Sequence, residues 1–142
     1  MENNTQNGEI MGGKGYLVVR VSAANGAIPL EGAQVSVRGG EPDNSDFFIT
    51  KYTGSSGLTE KIELPAPRRA LSESPGNGRP YSLYSIDVFA DGYKDLFFVN
   101  VPVFDTITSV QPANMIPKPD NKYPDNFAPY DNSVNEGENY KL

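Results

Sequence analysis

The chain has 142 residues, enough for one domain whose core of roughly 90–100 residues can fold unaided. It contains neither cysteine nor histidine, which removes disulfides, thiolate nucleophiles, the usual zinc ligands, Ser/His/Asp and Cys/His catalytic systems, and the commonest general base near neutral pH. A formal net charge of -6, with Arg68-Arg69 as the one basic pair, sets it against phosphate-driven nucleic-acid binding.

Residues Met1 to Gly15 are polar and Gly/Asn-rich, with Ile10 and Met11 the only apolar side chains after Met1. Such a segment reads as a flexible arm, since it cannot repay the entropy of ordering, and it offers no apolar run suited to a signal peptide. Export by the general secretory route is therefore not expected, and no stretch of the chain approaches transmembrane length. From Tyr16 the pattern becomes β-branched and alternating. Leu17, Val19 and Val21 share one face of a first strand ending near Ser22. Asn25-Gly26 supplies a turn, and Gly32 to Val37 resumes the period with Ala33, Val35 and Val37 inward.

Gly39 to Asp46 has loop composition, and Phe47 to Thr53 is aromatic and β-branched enough for a third strand. Leu58 to Leu64 follows, with Leu58, Ile62 and Leu64 directed to the core and Thr59, Lys61 and Glu63 to water. Pro65 and Pro67 lack ladder donors and are expected to end it. The proline-rich stretch from Pro65 to Pro80 reads as a long surface connection of the kind that carries sites. Tyr81 to Ala90 places Tyr84, Ile86, Val88 and Ala90 on one face, and Asp91-Gly92 closes a hairpin into Leu96 to Val101. A last strand falls within Ile107 to Ile116, with Pro112 suggesting an edge or a bulge. Seven short strands without helical period predict a seven-stranded antiparallel two-sheet β-sandwich over residues 16–117.

Lys118 to Leu142 is polar and acidic and is expected to be disordered. It repeats Pro-Asp-Asn before an aromatic: Pro119-Asp120-Asn121-Lys122-Tyr123, then Pro124-Asp125-Asn126-Phe127, with Pro129-Tyr130-Asp131-Asn132 continuing loosely.

The run Gly26-Ala27-Ile28-Pro29-Leu30-Glu31-Gly32-Ala33-Gln34-Val35-Ser36-Val37 resembles the opening strand pair of a carboxypeptidase regulatory-like domain, G-x-x-P-L-x-G-A-x-V-x-V. Thr53-Gly54-Ser55-Ser56-Gly57-Leu58 is similar to that family's T-D-x-x-G turn, with Gly54 in place of Asp. Tyr84-x-Ile86-x-Val88-x-Ala90-x-Gly92-Tyr93 resembles its hairpin. The resemblance implies a transthyretin-like sandwich.

A narrower resemblance rests on Leu64-Pro65-Ala66-Pro67, Leu71-Ser72, Ser74-Pro75-Gly76, Arg79-Pro80-Tyr81, Val101-Pro102-Val103-Phe104-Asp105 and Ile107-Thr108-Ser109-Val110-Gln111-Pro112. That set is similar to the N-terminal domain of clostridial-type spore cortex-lytic and peptidoglycan-binding proteins, although no wall-binding repeat or hydrolase domain is read between Pro117 and Leu142. It implies a module of a spore or cell-envelope system whose partner is a protein or cell-wall glycan. The lack of histidine and cysteine makes a non-catalytic module the expectation, and the lack of a signal peptide one made in the cytoplasm. No cofactor and no membrane contact are implied. The alternative is a self-assembling structural subunit, a homo-oligomer such as a filament or virion decoration, built through its ends.

Enzymes on related sandwiches, the hydroxyisourate hydrolases and intradiol dioxygenases, use histidine, which this chain lacks. Carboxylate-only hydrolysis would need a pair among Asp43, Asp46, Asp87, Asp91, Asp95 and Asp105, and the sequence pairs none of them. Asp43-Asn44-Ser45-Asp46 offers hard oxygen ligands for calcium but reads first as a turn. Lys14, Glu63 and Asn114 are the candidates for an internal Lys-to-Asn isopeptide bond. The expected interaction residues are the aromatics Tyr81 and Phe104, beside the proline-rich connection, and Tyr123, Phe127 and Tyr130 of the tail. Phe89 and Phe97 or Phe98 are further aromatics near the hairpin.

Overall fold

Successive side chains of an extended segment point to opposite sides, so a period of two makes one face apolar. In the computed structural model, which describes residues 12–39, 46–69 and 80–119, that period builds eight strands. They are β1 (Gly13–Ala23), β2 (Ile28–Pro29), β3 (Gln34–Gly39), β4 (Phe48–Tyr52), β5 (Ile62–Ala66), β6 (Ser82–Phe89), β7 (Leu96–Val103) and β8 (Thr108–Met115). Seven answer to the segments read from the sequence, and the two-residue β2 is additional. Leu17, Val19 and Val21 of β1, Val35 and Val37 of β3, Ile62 and Leu64 of β5, and Tyr84, Ile86 and Val88 of β6 are fully buried between two layers. Each such side chain contributes about 1.5–3 kcal/mol by leaving water.

One layer is centred on β1. Its first side pairs with β8 along Tyr16 to Ala23, and its second is shared by β5 against Gly13 to Leu17 and β2 against Ser22 and Ala23. The gap between β5 and β2 is closed by Gly57 to Thr59. Val21 donates its N–H to the Gly57 carbonyl at 2.7 Å, and Thr59 donates to the Val19 carbonyl at 3.0 Å. Thr59 Oγ1 in turn accepts from the Val19 N–H at 3.0 Å. Thr59 is accordingly buried rather than facing water, and Leu58 is the exposed neighbour. The other layer runs β4-β3-β6-β7 and is antiparallel throughout.

Within the first layer β8 runs parallel to β1. This requires the chain to leave the second layer at Val103 and enter the first at Thr108, which the turn at Phe104 to Ile107 accomplishes. The alternation of side chains is the same for either direction, so the sequence pattern could not show it. Pro112 sits in β8, an edge strand, where a missing N–H is tolerated. Pro65 likewise does not end its strand: β5 is an edge and continues through Pro65 to Ala66, opposite Lys14 and Gly13.

The layers are tied by Tyr84 of β6, whose hydroxyl donates to the Pro65 carbonyl of β5 and whose ring meets Phe47 edge-on at 5.7 Å. Buried Thr53 satisfies two backbone groups at once, accepting from the Ala33 N–H at 2.9 Å and donating to the Leu30 carbonyl at 2.6 Å. The β1 strand starts at Gly13, three residues ahead of the start read from the pattern, because Gly13 to Gly15 carry no apolar side chain to signal it. Among the described residues no helix is long and apolar enough to cross a membrane.

Candidate functional site

The first turn after β7 gathers three remote segments at one end of the sandwich. Asp105 Oδ1 accepts from the Lys14 N–H at 3.0 Å, and its Oδ2 accepts from the Arg69 N–H at 2.7 Å. One carboxylate thus fastens the start of β1 and the chain beyond β5 to the β7–β8 turn. The turn itself is closed by the Ile107 N–H on the Phe104 carbonyl at 3.2 Å, and the Thr106 N–H donates to the Lys14 carbonyl at 2.8 Å. Thr106 has φ 66°, a left-handed conformation that costs a residue with a Cβ about 1–2 kcal/mol. The bonds at Lys14 and Asp105 hold it there.

This approach is permitted by two glycines. A Cβ on Gly13 would lie 2.6 Å from Asp105 Cγ, and one on Gly15 would lie 2.4 Å from the Phe104 carbonyl oxygen. Strand β1 can reach the turn because both positions lack a side chain.

Beside the clamp, the Tyr81 and Phe104 rings pack at 5.3 Å with planes inclined by 59°. Phe104 is 37% exposed. With Arg69, Pro80, Asp105 and Ile107, Phe104 borders a cleft of about 220 Å³. A broader depression of about 550 Å³ adjoins it, lined by Gly12, Gly13, Lys14, Tyr16, Arg68, Arg69, Asp105 and Thr106. Three cations, Lys14, Arg68 and Arg69, line this depression with one carboxylate, Asp105, whose oxygens accept from backbone N–H groups. Lys14 also meets Glu63 at 2.7 Å, and that hydrogen bond, with the carboxylate's charge, holds the ammonium above its ordinary pKa. Lys61 stands 5.4 Å from the Tyr16 ring centroid. Such exposed pairs contribute little to stability.

Of the aromatics singled out from the sequence, Tyr81 and Phe104 are brought together, while Tyr123, Phe127 and Tyr130 lie outside the described residues. Of the clamp residues, Arg69 and Thr106 escaped the reading of sites, and Lys14 was singled out only as an isopeptide candidate. Their one signal was Asp105-Thr106 between two strand-like runs, where a short polar turn must join different layers.

The acids weighed from the sequence fall at different places in the fold. Asp87 is held by Arg38 through two bonds of 3.2 and 2.9 Å, Asp105 is clamped to amides, and Asp91 and Asp95 line a cleft on the β6–β7 hairpin side. Asp43 to Ser45 lie outside the described residues, and Asp46 is exposed. No group of three or more Asp or Glu poised for a metal occurs among the described residues. The isopeptide set is also separated. Asn114 pairs with Ser22 near the far end of β1 and accepts a hydrogen bond from its hydroxyl, whereas Lys14 lies at the opposite end of the strand.

No family model matches the chain, and no curated protein matches it. Solved structures do resemble it. The Bacillus anthracis TIE protein is similar over 74% of this chain at 17% identity and a TM-score of 0.53. Wild-type Acinetobacter radioresistens catechol 1,2 dioxygenase is similar over 90% at 13% identity and a TM-score of 0.52. The chain spans 17% of the first protein and 59% of the second. At these identities the likeness is one of fold, and it agrees with the all-β, two-layer architecture. Likeness to a dioxygenase does not supply its chemistry, which a fold does not carry by itself.

Proposed function

We propose that this chain is a non-catalytic binding module of a bacterial spore or cell-envelope system, a carboxypeptidase regulatory-like sandwich that engages a partner protein or peptidoglycan through its Asp105 end. The observation that carries the reading is the Tyr81–Phe104 ring pair with Arg69 in the cleft beside Phe104 and Arg68 in the adjoining depression, where Asp105 clamps the β7–β8 turn to β1. Rings give contact area at small entropic cost, and guanidinium groups pair with carboxylates of an acidic protein segment or of wall peptides. The resemblance of the Arg79-Pro80-Tyr81 and Val103-Phe104-Asp105 motifs to spore-wall proteins supplies the biological setting.

The test is co-sedimentation of the purified chain with isolated peptidoglycan, alongside retention of envelope proteins on the immobilised chain. Binding is expected to one of them, and Phe104→Ala combined with Arg68→Ala should weaken it at least tenfold while leaving the thermal midpoint nearly unchanged. Binding to neither material would overturn the reading.

A second reading, a self-assembling subunit, is favoured by one observation. Proline interrupts β2, β5, β7 and β8 at Pro29, Pro65, Pro102 and Pro112, whereas edge strand β4 has none. Among the described residues β4 pairs with β3 alone, and its Phe48 and Tyr52 are 62% and 60% exposed. Unprotected edges invite a further strand. The Thr53 N–H and the Phe47 carbonyl both bond toward β3, so by the period of two the Thr50 N–H faces the open edge. If this edge assembles, light scattering should show dimers or larger species at high concentration, and Thr50→Pro should return them to monomers. A monomer at every concentration would exclude it.

A further inference from the structure

The β6–β7 hairpin lies at the other end of the second layer and carries a different site. Register places Gln34 of β3 between Tyr52 of β4 and Phe89 of β6. All three alternate with inward positions and so share the outer face. Two strand spacings separate the strands that carry the rings, about 10 Å, with the Gln34 amide between. Phe97 of β7 meets Phe89 edge-on at 6.2 Å and steadies that ring. The resulting cleft of about 350 Å³ is completed by Gly32, Ala90, Asp91, Asp95 and Lys118. Its hairpin wall is fixed by the Tyr93 N–H on the Ala90 carbonyl at 3.0 Å and the Lys118 N–H on the Gly92 carbonyl at 2.8 Å.

We propose that this cleft binds a neutral β-linked pyranose chain. A pyranose presents an apolar C–H face and a rim of hydroxyls, and the cleft offers both complements. Tyr52 and Phe89 are platforms for the apolar faces. The Gln34 amide donates and accepts, and the Asp91 and Asp95 carboxylates accept from hydroxyl donors. Two carboxylates against the single ammonium of Lys118 make the site repel acidic ligands, the opposite of the Asp105 end. A proline-rich peptide also seats on paired rings, but its recognition rests on the rings and makes no demand for two carboxylates and an amide.

The proposal goes beyond the envelope reading and stands without it. It is tested on the whole chain by amide NMR titration with chitotetraose and cellotetraose, and with a proline-rich decapeptide in parallel. At least one tetrasaccharide should shift the amides of Gln34, Tyr52, Phe89 and Asp91. Tyr52→Ala and Asp95→Asn should each weaken that binding at least tenfold. Both side chains are exposed, so each variant should keep the wild-type dispersion of signals, and both leave the Asp105 end untouched. Absence of shifts with both saccharides, shifts that survive both substitutions, or binding of the peptide alone would overturn it.

Discussion

Gly15→Ala should lower the stability of the domain by about 3 kcal/mol, at the upper end of the usual cost of overpacking. A Cβ there would stand 2.4 Å from both the Phe104 carbonyl oxygen and Val103 Cγ1. The oxygen is backbone in a hydrogen-bonded turn and cannot swing aside as a flexible side chain would. Relief would need β1 to withdraw, breaking the pairing of Gly15 with Leu64 and of Tyr16 with Thr108. Urea denaturation of the variant beside the parent measures the loss. An unchanged midpoint would mean that β1 does not approach the turn as described.

Asp105→Ala comes next, with an expected loss of about 2 kcal/mol. Hydrogen bonds to a charged acceptor contribute about 1.5–3 kcal/mol each, and two are lost, but both lie in exposed surroundings where water replaces part of them. Asp105→Asn keeps one acceptor oxygen and should fall between variant and parent. The substitution has a second consequence, because Thr106 loses the neighbour that holds its left-handed backbone. The binding end is then expected to loosen before the core does. Amide hydrogen exchange should show faster exchange at Lys14, Arg69 and Thr106, with Ile86 and Val88 unaltered.

The core was legible because its period is unbroken: Leu17, Val19 and Val21, then Tyr84, Ile86 and Val88, alternate with polar or half-buried positions and are buried as the alternation requires. The direction of β8 was not, since alternation carries no sense of direction. Thr59 was misread for a related reason: a hydroxyl in a strand-like run looks solvent-directed until the gap beside Val19 is known. At the site, ring-bearing Tyr81 and Phe104 could be picked out by composition, but the clamp depends on Gly13, Gly15 and Asp105, which are far apart in the chain and silent in pattern. Tyr52, Gln34 and Phe89 become one cleft only through the register of three strands, which no local rule specifies.

The central claim is that the end organised by Asp105 is where this module meets its partner. Amide NMR of the full chain, with solubilised peptidoglycan fragments or a captured envelope protein added, addresses it most directly. The account predicts shifts centred on Lys14, Arg69, Phe104 and Thr106. Shifts confined to other faces of the sandwich, or none with either material, would contradict it.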